Sequence, residues 1–351
     1  MNSICVLIVD DSLLIQKILR KIVTDAGMTV AETASNGQEA LSVLAQQSVD
    51  LILLDMEMPV MNGIEFLKAM KHTPYSPPII VISALTQRHA PITIESLLLG
   101  ASDYIFKPST LSGGETTNLA ATLIPKIQRI LEKRAQRTQP SLPPPLILPN
   151  RIHSSGSRFG IIVVAVSTGG PKALESLLLQ LPAEFSTPIL IAQHMPPIFT
   201  QMLAESLNSR TALQVKEAQD GDDLSNGGVW LAPGDRHMSI RNTDGKYQIE
   251  ITDGPKENFC RPSADVLFRS AARHFQQKTI GLVLTGMGQD GLLGSVAIRR
   301  RGGSVFVQDE KSSVVWGMPK AIVDAEQANA IIPLKQMGEQ LIALFNPPHS
   351  P

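Results

Sequence analysis

Leu51-Ile-Leu-Leu-Asp-Met-Glu-Met-Pro59 is an apolar run that ends on a carboxylate and is followed by a proline. Four consecutive apolar residues leave no polar face, as in a strand covered on both sides. The same pattern recurs outward in both directions. Ile4–Val9, Thr29–Ala34, Ile79–Ile82 and Asp103–Ile105 are the other predicted strands of residues 1–125. Amphipathic stretches at Leu13–Ala26, Gly37–Ala45, Ile64–Lys71, Thr93–Gly100 and Thr116–Arg134 separate and follow them. Five βα units in succession predict an α/β fold with a doubly wound, five-stranded parallel sheet.

Sites in such sheets lie beyond the carboxyl ends of the strands, where strand order reverses. The predicted strand ends carry Asp10 and Asp11, Asp55, Ser83 and, after the fifth, Lys107. Each acid taken singly is most simply a solvated loop residue or a helix cap; the set at successive ends is harder to dismiss. Three converging carboxylates repel one another unless a cation lies between them. A hard divalent ion with oxygen ligands, such as Mg²⁺, resolves that conflict. Such a pocket suits phosphoryl transfer onto Asp55, with the Lys107 ammonium and the Ser83 hydroxyl binding the transferred group.

The second half of the chain is again α/β, with a mostly parallel sheet expected. Phe159–Val166, Pro188–Ala192, Thr279–Leu284, Ser304–Gln308 and Ala330–Pro333 are predicted strands, with shorter β pieces in Gln214–Ile251. Helices are predicted at Pro171–Leu181, Ile198–Asn208, Ser263–His274, Asp290–Arg301 and Leu334–Phe345. Ser167, His194 and Asp290 stand just past strand ends. A hydroxyl nucleophile needs a base within reach and a carboxylate to orient that base. The helix start after Ser167 adds N–H groups suited to a developing oxyanion. Plainer readings stand beside these: Ser167 as a helix cap or phosphate anchor, Asp290 as a cap, and His237 as rival base. The turn Ser167-Thr168-Gly-Gly-Pro171 follows neither the dinucleotide nor the P-loop pattern, and Ala165 departs from a Gly-x-Ser-x-Gly elbow.

Composition narrows the function classes. The 351 residues carry 31 basic and 32 acidic side chains, a formal charge of −1, against a binder that relies on bulk positive charge. Two cysteines, Cys5 and Cys260, cannot make a disulfide framework and suit a reducing compartment. No apolar run reaches the eighteen or so residues of a membrane span, and no basic region precedes the first apolar stretch. A soluble, cytoplasmic protein with no nucleic-acid partner and no membrane insertion is expected. Residues 126–158 carry seven basic side chains and one acid, and Gln139–Asn150 holds five prolines. The expected division is therefore a first domain over 1–125, a linker helix and Pro-rich linker over 126–157, and a second domain over 158–347.

Residues 1–125 resemble a two-component receiver domain, through Asp10-Asp11, Ser83, Lys107 and the segment Asp55-Met-Glu-Met-Pro-Val-Met-Asn-Gly63. Asn62 stands where that family usually has Asp. The resemblance implies phosphorylation of Asp55, and Mg²⁺ held by Asp11, Asp55 and the Glu57 carbonyl with Asp10 in support. The second half is similar to the CheB family of chemotaxis protein-glutamate methylesterases. The similarity rests on Val166-Ser-Thr-Gly-Gly-Pro171, Gln193-His-Met-Pro-Pro197, Ala232-Pro-Gly-Asp-Arg-His-Met238, Arg261-Pro-Ser-Ala-Asp265 and Leu284-Thr-Gly-Met-Gly-Gln-Asp-Gly291. It implies Ser167 as nucleophile, His194 as base and acid, Asp290 as orienter, and Thr168 and Met287 as shapers of the oxyanion site. Ala165-Val166 replaces the smaller Gly-Ala pair usual there, and Cys260 is given no catalytic role.

The implied reactions are demethylation of methyl-accepting chemotaxis receptors and deamidation of receptor glutamines, with no cofactor at the esterase site. The chemotaxis histidine kinase CheA is the implied phosphoryl donor. Inhibition by the unphosphorylated receiver, relieved through Ser83 and Tyr104 on phosphorylation, is the expected control. The rivals are a receiver-coupled transcription factor, a scaffold with a vestigial triad, and a hydrolase of unrelated esters.

Overall fold

The computed structural model describes residues 3–73, 75–84, 86, 88–107, 113–136, 160–225 and 227–345. The Pro-rich linker and the tail beyond residue 345 lie outside these. Contacts divide the chain into two compact units, Met1–Pro140 and Ser141–Pro351.

In the first unit the elements are β1 (Cys5–Val9), α1 (Leu13–Asp25), β2 (Thr29–Ala34), α2 (Gly37–Gln46), β3 (Leu51–Asp55) and α3 (Gly63–Met70). They continue with β4 (Ile79–Ser83), α4 (Ala90–Leu99), β5 (Asp103–Phe106) and α5 (Gly113–Gln136). The sheet is parallel in the order β2-β1-β3-β4-β5. Every residue of β3 and β4 is buried, because helices cover both faces. Strand order reverses at β1, which sets the carboxyl ends of β1 and β3 side by side. Asn62 accepts from the Glu65 N–H at 3.0 Å and Glu65 accepts from the Asn62 N–H at 2.9 Å, a reciprocal cap on α3. The Asn62 amide therefore caps α3 through its side-chain oxygen. Helix α5 runs past residue 125 without a break to Gln136, burying Leu123, Ile127 and Ile130.

The second unit begins β6 (Ile161–Val166), α6 (Gly170–Leu178), β7 (Ile189–Gln193), α7 (Phe199–Arg210), β8 (Val215–Glu217) and β9 (Val229–Leu231). A hairpin of β10 (His237–Thr243) and β11 (Lys246–Thr252) follows, then α8 (Ala264–Phe275), β12 (Thr279–Val283), α9 (Leu292–Arg300) and β13 (Ser304–Gln308). The unit closes with α10 (Met318–Asp324), β14 (Ala330–Ile332) and α11 (Leu334–Phe345). Seven strands form one parallel sheet, β14-β13-β12-β6-β7-β9-β8, which reverses direction at β6. Strand β6 is the centre of the core, buried at every position between β12 and β7. Phe268 and Ala264 of α8 and Ile298 of α9 pack over it with Val163 and Ala165. Sequence patterning does not anticipate α10, a seven-residue helix with Pro319 in its first turn. Its three buried residues, Met318, Pro319 and Ile322, are too few to display a period.

Candidate functional site

Both reversal points gather polar groups. In the first unit Asp10 follows the buried end of β1, Asp55 is the last residue of β3, and Lys107 follows β5, its N–H donating to the Ser83 carbonyl at 2.7 Å. The Lys107 ammonium lies 2.9 Å from Asp55 Oδ2 and 3.0 Å from Asp10 Oδ2. Burial pushes the Asp55 carboxyl above its ordinary range, Lys107 pulls it down, and Asp10 adds to the upward push. Burial alone would lower the Lys107 ammonium; its two carboxylates outweigh that and hold it above its ordinary value.

A cavity of ≈ 350 Å³ opens here, lined by Asp11, Asp55, Glu57, Ser83, His89 and Lys107. The Glu57 carboxylate is 3.1 Å from His89 Nε2. The Ser83 hydroxyl shares a 2.6 Å hydrogen bond with the Thr93 hydroxyl. Tyr104 packs edge-on against Phe106 at 5.2 Å, and burial first, then Asp103, pushes its phenol up. One oxygen each from Asp10, Asp11 and Asp55 lies within 4.8 Å of the others. Asp10 Oδ2 is buried and takes no directed hydrogen bond among the described residues, only the Lys107 ion pair. Hard oxygen donors with spare lone pairs fit an ion such as Mg²⁺.

In the second unit Ser167 follows β6 and opens the turn into α6. Its N–H donates to the Thr285 carbonyl at 3.0 Å, and its carbonyl accepts from Gly170 at 2.7 Å and from the Gln193 side chain at 3.1 Å. Gly169 adopts φ 76°, and a Cβ there would stand 2.5 Å from Val314, so glycine is required twice over. A Cβ on Gly170 would stand 1.9 Å from Gln193 Oε1. Buried Thr168 offers its carbonyl to the Thr285 hydroxyl at 2.9 Å, and that hydroxyl accepts from Val314 and Val315. Gly286 bridges to Trp316 in strand fashion, and a Cβ on it would come within 2.9 Å of Ser167 Cβ. Met287, 38% exposed, therefore follows a residue packed against the serine.

His194 and Asp290 meet: His194 Nε2 is 2.8 Å from Asp290 Oδ2. That oxygen also accepts from the Ala264 N–H at 2.6 Å. Oδ1 accepts from the Ser263 hydroxyl at 2.7 Å, the Asn258 amide at 3.1 Å and the Asp265 N–H at 3.2 Å. Burial raises the Asp290 carboxyl, but the hydrogen bond to His194 and these donors bring it down to about 2. Burial likewise opposes the His194 cation, and the Asp290 hydrogen bond, then Cys260, lift it to about 9. His194 Nδ1 faces the Cys260 thiol at 3.6 Å. No hydrogen bond joins the Ser167 side chain to His194 among the described residues.

His237 has both ring nitrogens occupied, Nε2 donating to the Pro255 carbonyl at 2.9 Å and Nδ1 accepting from the Ser263 N–H at 3.2 Å. It is buried and braces the start of α8 through Ser263. Sequence reading gave no role to Asn258, Ser263 and Thr285, and set Cys260 aside as non-catalytic. Ser263 alone left a cue, as a serine directly before an apolar helix.

Comparison with known proteins gives one picture. The CheB methylesterase family pattern matches residues 162–341, and the response regulator receiver domain pattern matches residues 6–114. A Trichodesmium erythraeum protein named protein-glutamate methylesterase/protein-glutamine glutaminase is 43% identical over 96% of this chain and 97% of its own. A Caulobacter vibrioides protein of the same name, numbered 2, is 43% identical over 95% and 96%. The crystal structure of the Thermotoga maritima CheB methylesterase catalytic domain superposes with a TM-score of 0.53 at 39% identity, covering 54% of this chain and all of that one.

Proposed function

This chain belongs to the CheB methylesterase family, with a response-regulator receiver at its N-terminus, and from that premise we propose that it is a phosphorylation-activated protein-glutamate methylesterase and protein-glutamine glutaminase. The observation that carries the reading is the 2.8 Å pair of His194 and Asp290 at a strand end adjoining that of Ser167. Asp290 holds Nε2, so Nδ1 is the nitrogen left to serve as base. The Ser167 hydroxyl attacks the γ-carbonyl of a glutamyl methyl ester and passes its proton to that nitrogen. The oxyanion forms beside the turn that starts α6, where Thr168 and the Met287 loop shape the pocket. His194 returns the proton to the leaving methoxide, and methanol departs. Water, deprotonated by the same nitrogen, then releases glutamate from the acyl-serine. A glutamine side chain follows the same course with ammonia leaving. Approach of the Ser167 hydroxyl to Nδ1 is the alignment that substrate binding completes.

Receptors of the methyl-accepting chemotaxis class are the substrates, a chemotaxis histidine kinase is the phosphoryl donor, and the cytoplasm is the place of action. No helix among the described residues is long and apolar enough to cross a membrane. Asp55 accepts the phosphoryl group, and Lys107 and Ser83 bind it once Ser83 leaves Thr93. Asp11, Asp55 and the Glu57 carbonyl would hold Mg²⁺, with Asp10 supporting, and the ion would neutralise phosphoryl charge there. Residues 158–347 form the catalytic domain. The decisive test is methanol release from methylated receptor membranes, with and without a small-molecule phosphodonor. A full-length chain that releases no methanol under either condition overturns the reading.

A further inference from the structure

Cys260 stands on the one nitrogen of His194 that Asp290 leaves free. The loop before α8 puts it there: Asn258 and Phe259 adopt φ 50° and 62°, and Phe259 projects with 99% of its surface exposed. Cys260 and His194 are both partly open to solvent. The separation Sγ···Nδ1 is 3.6 Å. Tetrahedral zinc, with bonds of about 2.3 Å to sulfur and about 2.0–2.1 Å to nitrogen, sets those two atoms about 3.6 Å apart. The distance spanned here by a thiol–imidazole hydrogen bond is therefore also the distance a shared metal ion needs, and the thiol gives up its 3.3 Å contact with the Asn258 carbonyl when it binds one.

The remaining parts match as well. A ligating imidazole ordinarily gives its second nitrogen to a carboxylate, which fixes the ring. Asp290 does this through Nε2 at 2.8 Å. Both Asp290 oxygens are saturated by five donors, so this carboxylate orients the ring and leaves the metal to sulfur and nitrogen. We infer that Cys260 Sγ and His194 Nδ1 form a binding site for a soft divalent cation of the zinc class, two water molecules completing the coordination. Binding releases the thiol proton to solvent and changes no oxidation state: thiol plus M²⁺ gives metal thiolate plus H⁺. Thiolate and imidazole select zinc-class ions over Mg²⁺, which keeps this site distinct from the receiver carboxylates. An ion here takes the lone pair that abstracts the serine proton, so it switches the esterase off. That last consequence rests on His194 acting as the base; the site itself does not.

The full-length chain, with excess Mg²⁺ present, is titrated with Co²⁺. One equivalent is expected to produce a thiolate-to-cobalt charge-transfer absorption that Zn²⁺ abolishes by displacement. The absorption is expected to persist in Cys5→Ser and vanish in Cys260→Ser. In the unmodified chain, Zn²⁺ is expected to protect Cys260 from alkylation, read by peptide mass spectrometry, and to leave Cys5 reactive. Absence of the band, or its survival in Cys260→Ser, overturns the site, as does alkylation of Cys260 at an unchanged rate. Zn²⁺ is further expected to stop methanol release over the same concentration range. A metal that binds at Cys260 without slowing release leaves the site standing and overturns His194 as base.

Discussion

The two units solve the same placement problem with different chemistry. Each is a parallel sheet that reverses direction at a central strand, β1 in one and β6 in the other. Each collects its polar groups at the crevice this reversal creates. The first unit gathers like charges, Asp10, Asp11 and Asp55, around the Lys107 ammonium. The second gathers a neutral hydroxyl and an imidazole–carboxylate pair. A cluster of like charges stores repulsion that an incoming cation or phosphoryl group relieves, which suits a switch. A hydrogen-bonded imidazole whose second nitrogen meets only a thiol suits bond breaking. The fold supplies the position, and the side chains decide whether that position senses or reacts.

Predictions that separate the two crevices follow from the largest effect downward. Ser167→Ala is expected to lower methanol release by about 10⁴-fold or more. The same variant still takes up phosphate at Asp55 from a phosphodonor, measured by phosphoprotein mass. His194→Ala is expected to fall nearly as far. His237→Asn is expected to act mainly on folding, costing about 1–3 kcal/mol through loss of a buried partner, read by denaturant unfolding. A larger rate loss in His237→Asn than in His194→Ala would transfer the base role.

Asp55→Asn is expected to retain basal methanol release and lose all response to phosphodonor, the mirror image of Ser167→Ala. A basal rate abolished by Asp55→Asn would mean that the two crevices do not divide sensing from reaction. The smallest effect is on pH. Partners lift His194 to about 9, above the ordinary imidazole value of about 6.5. A base must be neutral, so kcat/KM is expected to rise with pH through that titration. The stabilising interaction of the cation is complete below about 6.5 and fades as pH rises through about 9, so unfolding free energy falls over that window while activity climbs. A profile flat from pH 6 to 9 would break this expectation.

The units also differ in how much of them the sequence displays. In the first, every site residue lies within a few positions of an apolar run, so Asp10, Asp55, Ser83 and Lys107 are found by finding strands. Ser167, His194 and Asp290 are found the same way. The groups that set their electrostatics are not. Asn258, Cys260 and Ser263 come from the loop between β11 and α8, which has no period and whose course depends on two left-handed residues. Thr285 is indistinguishable in sequence from any threonine at a strand end, yet its hydroxyl ties the Ser167 turn to the segment before α10. Ser83 was legible as a hydrogen-bond donor to a phosphoryl group, whereas its engagement with Thr93 depends on the helix α4 side chain opposite it.

The bridge between Gly286 and Trp316 has a practical consequence. Both tryptophans of the chain, Trp230 and Trp316, belong to the second unit, and Trp316 donates its indole N–H to the Gln308 carbonyl at 3.0 Å. Its backbone is paired with a residue packed on Ser167. Ultraviolet emission excited at the red edge therefore comes wholly from the catalytic half, and the receiver is optically dark. Acylation of the serine can thus be timed in an unlabelled sample by its own fluorescence, whereas phosphate uptake registers only insofar as it disturbs that light.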